Sequence, residues 1–166
     1  MSDTITIRPA SREDVPLVLE FTRELARYER LEHEVSASEA QLREALFGDR
    51  RYAEVVFACD SGEPVGFALF FHNFSTFKGV AGIYLEDLFV RREARGRGVG
   101  KRLLAYLAHT AVERRCARLE WAVLDWNEAA IGFYRNLGAA PMNEWTTFRL
   151  TGDALALLAG SAPADR

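Results

Sequence analysis

"GIYLEDLFVRREARGRGVGKRLLAYLAHTAVER", Gly82 to Arg114, decides how this chain folds. Gly82 to Val90 is rich in apolar and aromatic residues and reads as a strand. From Val99 onward, Leu103, Leu104, Leu107 and Ala111 recur on one face of a helix. Between them lies a short loop with three glycines and several arginines, and beyond them "RLEWAVL", Arg118 to Leu124, reads as a second strand. A strand, a helix and a second strand in that order imply a parallel pair joined by a crossover.

The pattern extends outward on both sides. Thr4 to Arg8 alternates and predicts a strand. Ser11 with Asp14 resembles a capping box, and Val18, Phe21, Leu25 and Tyr28 follow at helical spacing. Ser36 to Glu39 offers a second capping box before a shorter helix with Leu42, Ala45 and Leu46. Ala53 to Asp60 is a strand, "SGEP" turns the chain, and "VGFALFFHNF" runs back as the other arm of a hairpin. Downstream, "DWN" breaks the chain, "EAAIGFYRNLG" predicts a short helix ended by Gly138, and "TTFRLTG" predicts a closing strand. An apolar tail, Ala154 to Leu158, follows, and residues 160–166 are expected to fray. The order predicts an α/β chain, a mixed sheet with helices on its faces and parallel strands in both C-terminal strand–helix–strand units.

The chain has 166 residues, of which 49% are hydrophobic, and this suits one domain spanning 1–166. Its formal net charge is −3, with the positive residues dispersed, which argues against nucleic acid as a partner. No run approaches the ~20 apolar residues of a membrane span, and the N-terminus lacks the pattern of a signal peptide. A cytoplasmic protein without a membrane partner is expected. Cys59 and Cys116 are far apart, without metal-knuckle spacing, and read as free thiols. His33, His72 and His109 show no ligand spacing, so no metal is assigned.

Two familiar phosphate loops fail at the glycine stretch. A Walker A loop needs glycine where Arg95 stands and Ser or Thr where Arg102 stands. A dinucleotide fingerprint needs a third glycine where Lys101 or Leu103 stands. What remains is a helix start near Gly98 to Lys101, whose unpaired N–H groups carry about half a positive charge. Glycine lets a diphosphate approach that start closely, and Arg95, Arg97, Lys101 and Arg102 add counter-charge. The alternative is a plain turn into a solvated basic helix.

Arg95-x-x-Gly98-x-Gly100 after "YLEDLFVRREA" resembles the acyl-CoA diphosphate motif of the GNAT N-acetyltransferase superfamily. "DWNEAAIGFYRNLGA" is similar to that superfamily's later motif, and the likeness extends from "IRPA" to "FRL". Through "ELARYE", "YLEDLFV", "RGRGVG" and "WNEAAIGFYRNLGA" the chain most resembles the diamine (spermidine/spermine) and thialysine N-acetyltransferases. The resemblance implies a mostly antiparallel mixed sheet with a splayed parallel strand pair, flanked by helices. It implies acetyl-CoA as cofactor, a small amine as acceptor and a homodimer, for which "LFFHNFSTF" offers an apolar surface. The cofactor would lie along Leu88, Phe89 and Val90, at Arg95, Gly96, Arg97, Gly98, Val99, Gly100 and Lys101, and beside Asn127 and Phe133.

Acetyl transfer to an amine must remove the amine's proton, polarise the thioester carbonyl and protonate the leaving thiolate. Glu86 and Asp87 are carboxylates within an apolar strand, expensive to bury without a partner or a task. Alternation places Glu86 with Tyr84 and Leu88, and Asp87 with Phe89, unless a bulge re-aims them. In the family that Glu86 matches, this carboxylate takes the amine proton; otherwise it is an edge carboxylate paired with an arginine. Tyr134 has a hydroxyl suited to protonating a thiolate, and its match in the diamine enzymes is the acid. For polarisation, the resemblance supplies the outward N–H groups of the strand end at Leu88 and Val90. Asn127 either caps its helix or holds the cofactor's pantetheine arm.

Tyr28 and Glu29 match an acceptor-side segment, where an aromatic beside a carboxylate suits an ammonium group. Glu86 and Asp87 join them as acceptor contacts. Where the diamine enzymes carry acidic residues and a tryptophan, this chain has Thr146, Thr147 and Phe148, which favours a shorter amine or a lysine-like amino acid. The rival readings are a protein or antibiotic acetyltransferase and a non-catalytic acyl-CoA sensor.

Overall fold

β-branched and aromatic segments pair here only where two faces of a sheet are covered, and helices on both sides supply that cover. The structure is a computed structural model and describes residues 5–163. It comprises two compact units, residues 1–122 and 123–166. In the first, β1 (Ile5–Pro9), β2 (Glu54–Asp60), β3 (Glu63–Ser75), β4 (Val80–Val90) and β5 (Leu119–Trp121) form one sheet in that order. The first four strands are antiparallel, and β4 and β5 are parallel. Helices α1 (Val15–Glu29), α2 (Glu39–Phe47) and α3 (Val99–Glu113) complete this unit. Thr4, expected to open the first strand, lies outside the described residues.

Every residue of β2 from Val55 to Cys59 is buried, because both faces of the sheet are covered. On one face, Phe21 of α1 packs its ring 5.8 Å from Phe57, 5.2 Å from Phe67 and 6.4 Å from Phe89, with Leu25 and Leu46 around them. On the other, Leu103 and Leu107 of α3 are fully buried, and Val99 approaches Gly66 so closely that a Cβ there would stand 3.4 Å from it.

β4 does not alternate strictly. Phe70 pairs with Leu85 but Leu69 pairs with Asp87, so Glu86 is an extra residue in a bulge. Tyr84, opposite Phe71, and Leu88, opposite Ala68, therefore lie on opposite faces, although alternation predicts one face for both. Asp87 and Phe89 do share a face, the one covered by α1.

The Ser11–Asp14 box forms, with the Ser11 N–H donating to the Asp14 carboxylate at 2.7 Å. Arg8 donates to the same carboxylate and is the main cause holding its pKa down, to about 2. The second box forms two residues later than expected, at Ser38 and Gln41, where the Ser38 N–H donates to Gln41 Oε1 at 2.9 Å. Both serines head an S-x-x-(E/Q) run, and Ser38 is the one adjoining the first helical residue.

"RLEWAVL" pairs only at Leu119–Trp121, because past Leu85 the bulge turns β4 away from a straight partner. In the second unit, α4 (Glu128–Asn136) and α5 (Gly152–Ala159) are helical, and Gly138 ends the first at φ 89°. The expected strand "TTFRLTG" does not form, and Phe148 is 92% exposed. Its alternation supplies propensity but no ladder, and a strand without neighbours is unstable. The second parallel strand–helix–strand unit is therefore absent from the described residues. The apolar tail belongs to α5, with Leu155, Leu157 and Leu158 exposed.

Phe21 joins α1 to three strands through stacked and edge contacts. Phe21→Ala should lower stability by about 3–5 kcal/mol in urea denaturation, with the slope of the transition unchanged.

Candidate active site

The phosphate-loop geometry follows from two backbone residues. Gly96 and Gly98 have φ of 75° and 78°, which side chains with a Cβ rarely adopt, and nothing lies within 4 Å of where a Cβ would stand. Gly98 caps α3, and Arg102 is the first residue whose N–H meets its carbonyl, at 3.0 Å. The N–H groups of Val99, Gly100 and Lys101 thus have no intrahelical acceptor and face outward at the positive end of the helix. Val99 turns its side chain into the core, so it offers a ligand only its backbone.

The expected counter-charges are largely engaged within the protein. Arg97 donates to Asp60 Oδ2 at 2.5 Å, Arg102 to the Ile5 carbonyl at 3.4 Å, and Arg95 to the Val90 carbonyl at 2.8 Å. Lys101 is exposed. What the loop presents outward is therefore first its backbone N–H groups.

The end of β4 has an open side. The Arg91 N–H donates to the Val65 carbonyl at 2.9 Å, so the flanking Val90 turns its N–H and C=O away from β3, as does Leu88 two residues earlier. β5 reaches only as far as Leu85. Phe89 points the other way, with its backbone toward β3 and its ring in the core.

Carboxylates gather beside this open end. Glu86 is exposed on the bulge, whereas Asp87 is half-buried. Burial chiefly, then the charges of Glu86 and Glu29, push the Asp87 pKa up to about 7. Glu29, which ends α1, is itself raised by burial. Tyr28 is 39% exposed, with its ring 6.2 Å from that of Phe89. The three carboxylates, on two elements, make this end of the strand electronegative.

Arg95 was expected to serve the phosphate loop, but its guanidinium carbon lies 4.8 Å from the Tyr28 ring centroid and 5.5 Å from that of Phe89. The motif placed this residue at the loop and gave no sign that its side chain turns toward α1.

In the second unit, Asn127 is buried and caps α4, accepting from the Ala130 N–H at 3.3 Å. Tyr134 is half-buried on that helix, its ring 5.4 Å from that of Phe133. Cys59 and Cys116 are free. Among the described residues no helix is long and apolar enough to cross a membrane.

An aspartate with a raised pKa opposes folding once it ionises. Below about pH 4 it is neutral in both the folded and unfolded chain and costs nothing; between about pH 4 and 7 the penalty grows, to at most about 4 kcal/mol. Asp87→Asn should therefore match wild-type stability near pH 4 and exceed it at pH 8, by thermal or urea unfolding.

The acetyltransferase (GNAT) family matches residues 18–139. A thialysine N-epsilon-acetyltransferase of Bos taurus is 40% identical, over 94% of this chain and 98% of its own. An L-ornithine N5-acetyltransferase of Arabidopsis thaliana is 34% identical, over 90% of this chain and 85% of its own. Among solved structures, an integron cassette protein from the mobile metagenome of V. cholerae superposes with a TM-score of 0.80 at 30% identity, covering 95% of this chain and 99% of that one. The outward helix start behind Gly98 and the half-open β4 are thus those of an N-acetyltransferase, and the chain belongs to the GNAT family.

Proposed function

We propose that this protein transfers the acetyl group of acetyl-CoA directly to a small primary amine, a diamine, polyamine or lysine-like amino acid. The observation that carries this reading is that Glu29 of α1 and Glu86 act on Asp87 at the end of the strand that leads into the Gly96–Gly98 loop, where the Tyr28 ring packs against Phe89. GNAT family enzymes use acetyl-CoA, and the residues here fit it. The N–H groups of Val99, Gly100 and Lys101 would hold its diphosphate, and the outward groups of Leu88 and Val90 its pantetheine arm. When bound, acetyl-CoA supplies the thioester carbonyl that the amine attacks.

The roles of the chain's own groups follow from the demands of that reaction. Glu29 and Asp87 draw a cationic acceptor to Tyr28 and orient its free amine. Glu86, exposed on the bulge, takes the proton from the attacking nitrogen, directly or through water. The Tyr134 hydroxyl would give its proton to the thiolate that leaves when the thioester's carbon–sulfur bond is exchanged for the new carbon–nitrogen bond. Tyr134 is assigned from its place in the "NEAAIGFY" motif. No covalent acyl-enzyme is required, so Cys59 and Cys116 have no part in the transfer.

Thr146, Thr147 and Phe148 lack the negative charge that a long polyamine would seek, which favours a short amine or a lysine-like amino acid. The thialysine and ornithine acetyltransferases among the relatives support the same choice. As for assembly, Phe74 and Phe77, exposed on the hairpin between β3 and β4, supply an apolar surface for a homodimer. A cytoplasmic setting, with its pool of acetyl-CoA and small amines, suits this activity.

Thiol release from acetyl-CoA, measured with putrescine, spermidine, lysine, thialysine and a short peptide, tests the reading. One small amine should accelerate release, and Glu86→Gln and Tyr134→Phe should each lower kcat by about 10²–10⁴-fold. Acceleration by the peptide alone would favour a protein acetyltransferase. CoA binding without release in the presence of any of these amines would favour a sensor.

A further inference from the structure

Arg95 belongs by sequence to the diphosphate loop, yet its side chain lies on the acceptor side. Its Nε–H donates to the Val90 carbonyl at 2.8 Å, and this contact lays the guanidinium over Tyr28, with Phe89 beside it. Glu29 follows Tyr28 in the chain, and Asp87 lies on the sheet face that α1 covers. A cationic amine drawn by those carboxylates would seek the same aromatic face that the guanidinium covers. Two like charges at that distance repel, so the amine and the guanidinium compete for the ring.

The loop offers the guanidinium another partner once a diphosphate is bound. Arg95 directly precedes Gly96, and the N–H groups of Val99 to Lys101 would hold the diphosphate a few residues away. A guanidinium binds phosphate oxygens through paired, charge-assisted hydrogen bonds that are stronger than a single bond to a carbonyl. The two glycines give the loop the backbone freedom to let the side chain swing.

We propose, resting on the acetyl-CoA and amine reading above, that Arg95 is a positioning residue that couples the two ligand sites. Its guanidinium covers the Tyr28 ring until a bound diphosphate draws it into the loop, and its departure opens that ring to a cationic acceptor. Donor and acceptor thereby favour each other's binding, and the coupling is reciprocal.

The test compares wild type with Arg95→Gln by calorimetry of thialysine binding, with and without saturating CoA. In the wild type, CoA should tighten amine binding about tenfold. In Arg95→Gln, the amine should bind without CoA about as tightly as it does to the wild type with CoA, so the ratio falls to about one. A ratio that stays near ten in the variant, or weaker amine binding in both states, overturns the proposal.

A second measurement needs no amine and no turnover. In protein labelled with 3-fluorotyrosine, the Tyr28 fluorine signal, identified through Tyr28→Phe, should shift when CoA binds to the wild type and stay in place in Arg95→Gln. An equal shift in both proteins, or none in the wild type, overturns the coupling. Absence of acetyl transfer from the wild type to any small amine would instead overturn the proposed function and leave the fluorine result standing.

Discussion

The bulge at Glu86 is the constraint on which the site depends. Before it, β4 is bonded on both sides, to β3 and to β5; after it, β3 alone remains. The inserted residue also reverses which side chains meet which face. Leu85 lies with Phe70 on the face covered by α3, whereas Asp87 and Phe89 lie with Leu69 and Phe67 on the face covered by α1. Without the extra residue, Asp87 and Phe89 would turn toward α3, and the Phe21 ring would lose one of its three aromatic neighbours. A single insertion thus directs a carboxylate toward the end of α1, turns the backbone of Leu88 and the Val90 N–H away from β3 with no strand beyond them, and completes a core.

Much of this architecture was legible in the residues. The helical face of Leu103, Leu104 and Leu107, the hairpin around "SGEP" and the parallel β4–β5 pair all follow from periodicity and turn chemistry. The register of β4 was not, because alternation is a rule about an unbroken ladder and no local sequence signal marks the extra residue. Ser36 and Ser38 both head a capping pattern, and local sequence does not choose between them. "TTFRLTG" has the propensity of a strand, but pairing is a property of neighbours, and the described unit gives it none.

The loop shows a similar division. Its glycines were readable as a phosphate approach because φ near 75° at Gly96 and Gly98 is a requirement that few other residues meet. The fate of its charges was not readable. Arg97 and Arg102 are engaged by Asp60 and Ile5, residues far away in sequence, and Arg95 by an aromatic pair from two other elements. A basic residue near a phosphate loop is therefore not a phosphate ligand by its position alone; its side chain goes to whichever acceptor or ring the fold brings within reach.

Charge at the end of β4 is held in tension. Asp87 is pressed between burial and two other carboxylates, and its ionisation is favoured only by a cation close at hand. The guanidinium over Tyr28 leaves the Asp87 pKa raised and so does not supply that cation; in the proposed reaction an incoming ammonium would. An ammonium at the Tyr28 ring would meet the guanidinium already there, and two like charges so close repel, so in the proposed coupling they are alternatives. Under the proposed function, such a site would recognise its acceptor through the positive charge that the reaction must then remove. A neutral amine is the nucleophile, while an ammonium is the form that the carboxylates gather. In the proposed reaction the exposed position of Glu86 would resolve the conflict: the proton lost by the bound ammonium would leave through a carboxylate in contact with water, while the more buried Asp87 would keep hold of whatever charge remains on the acceptor.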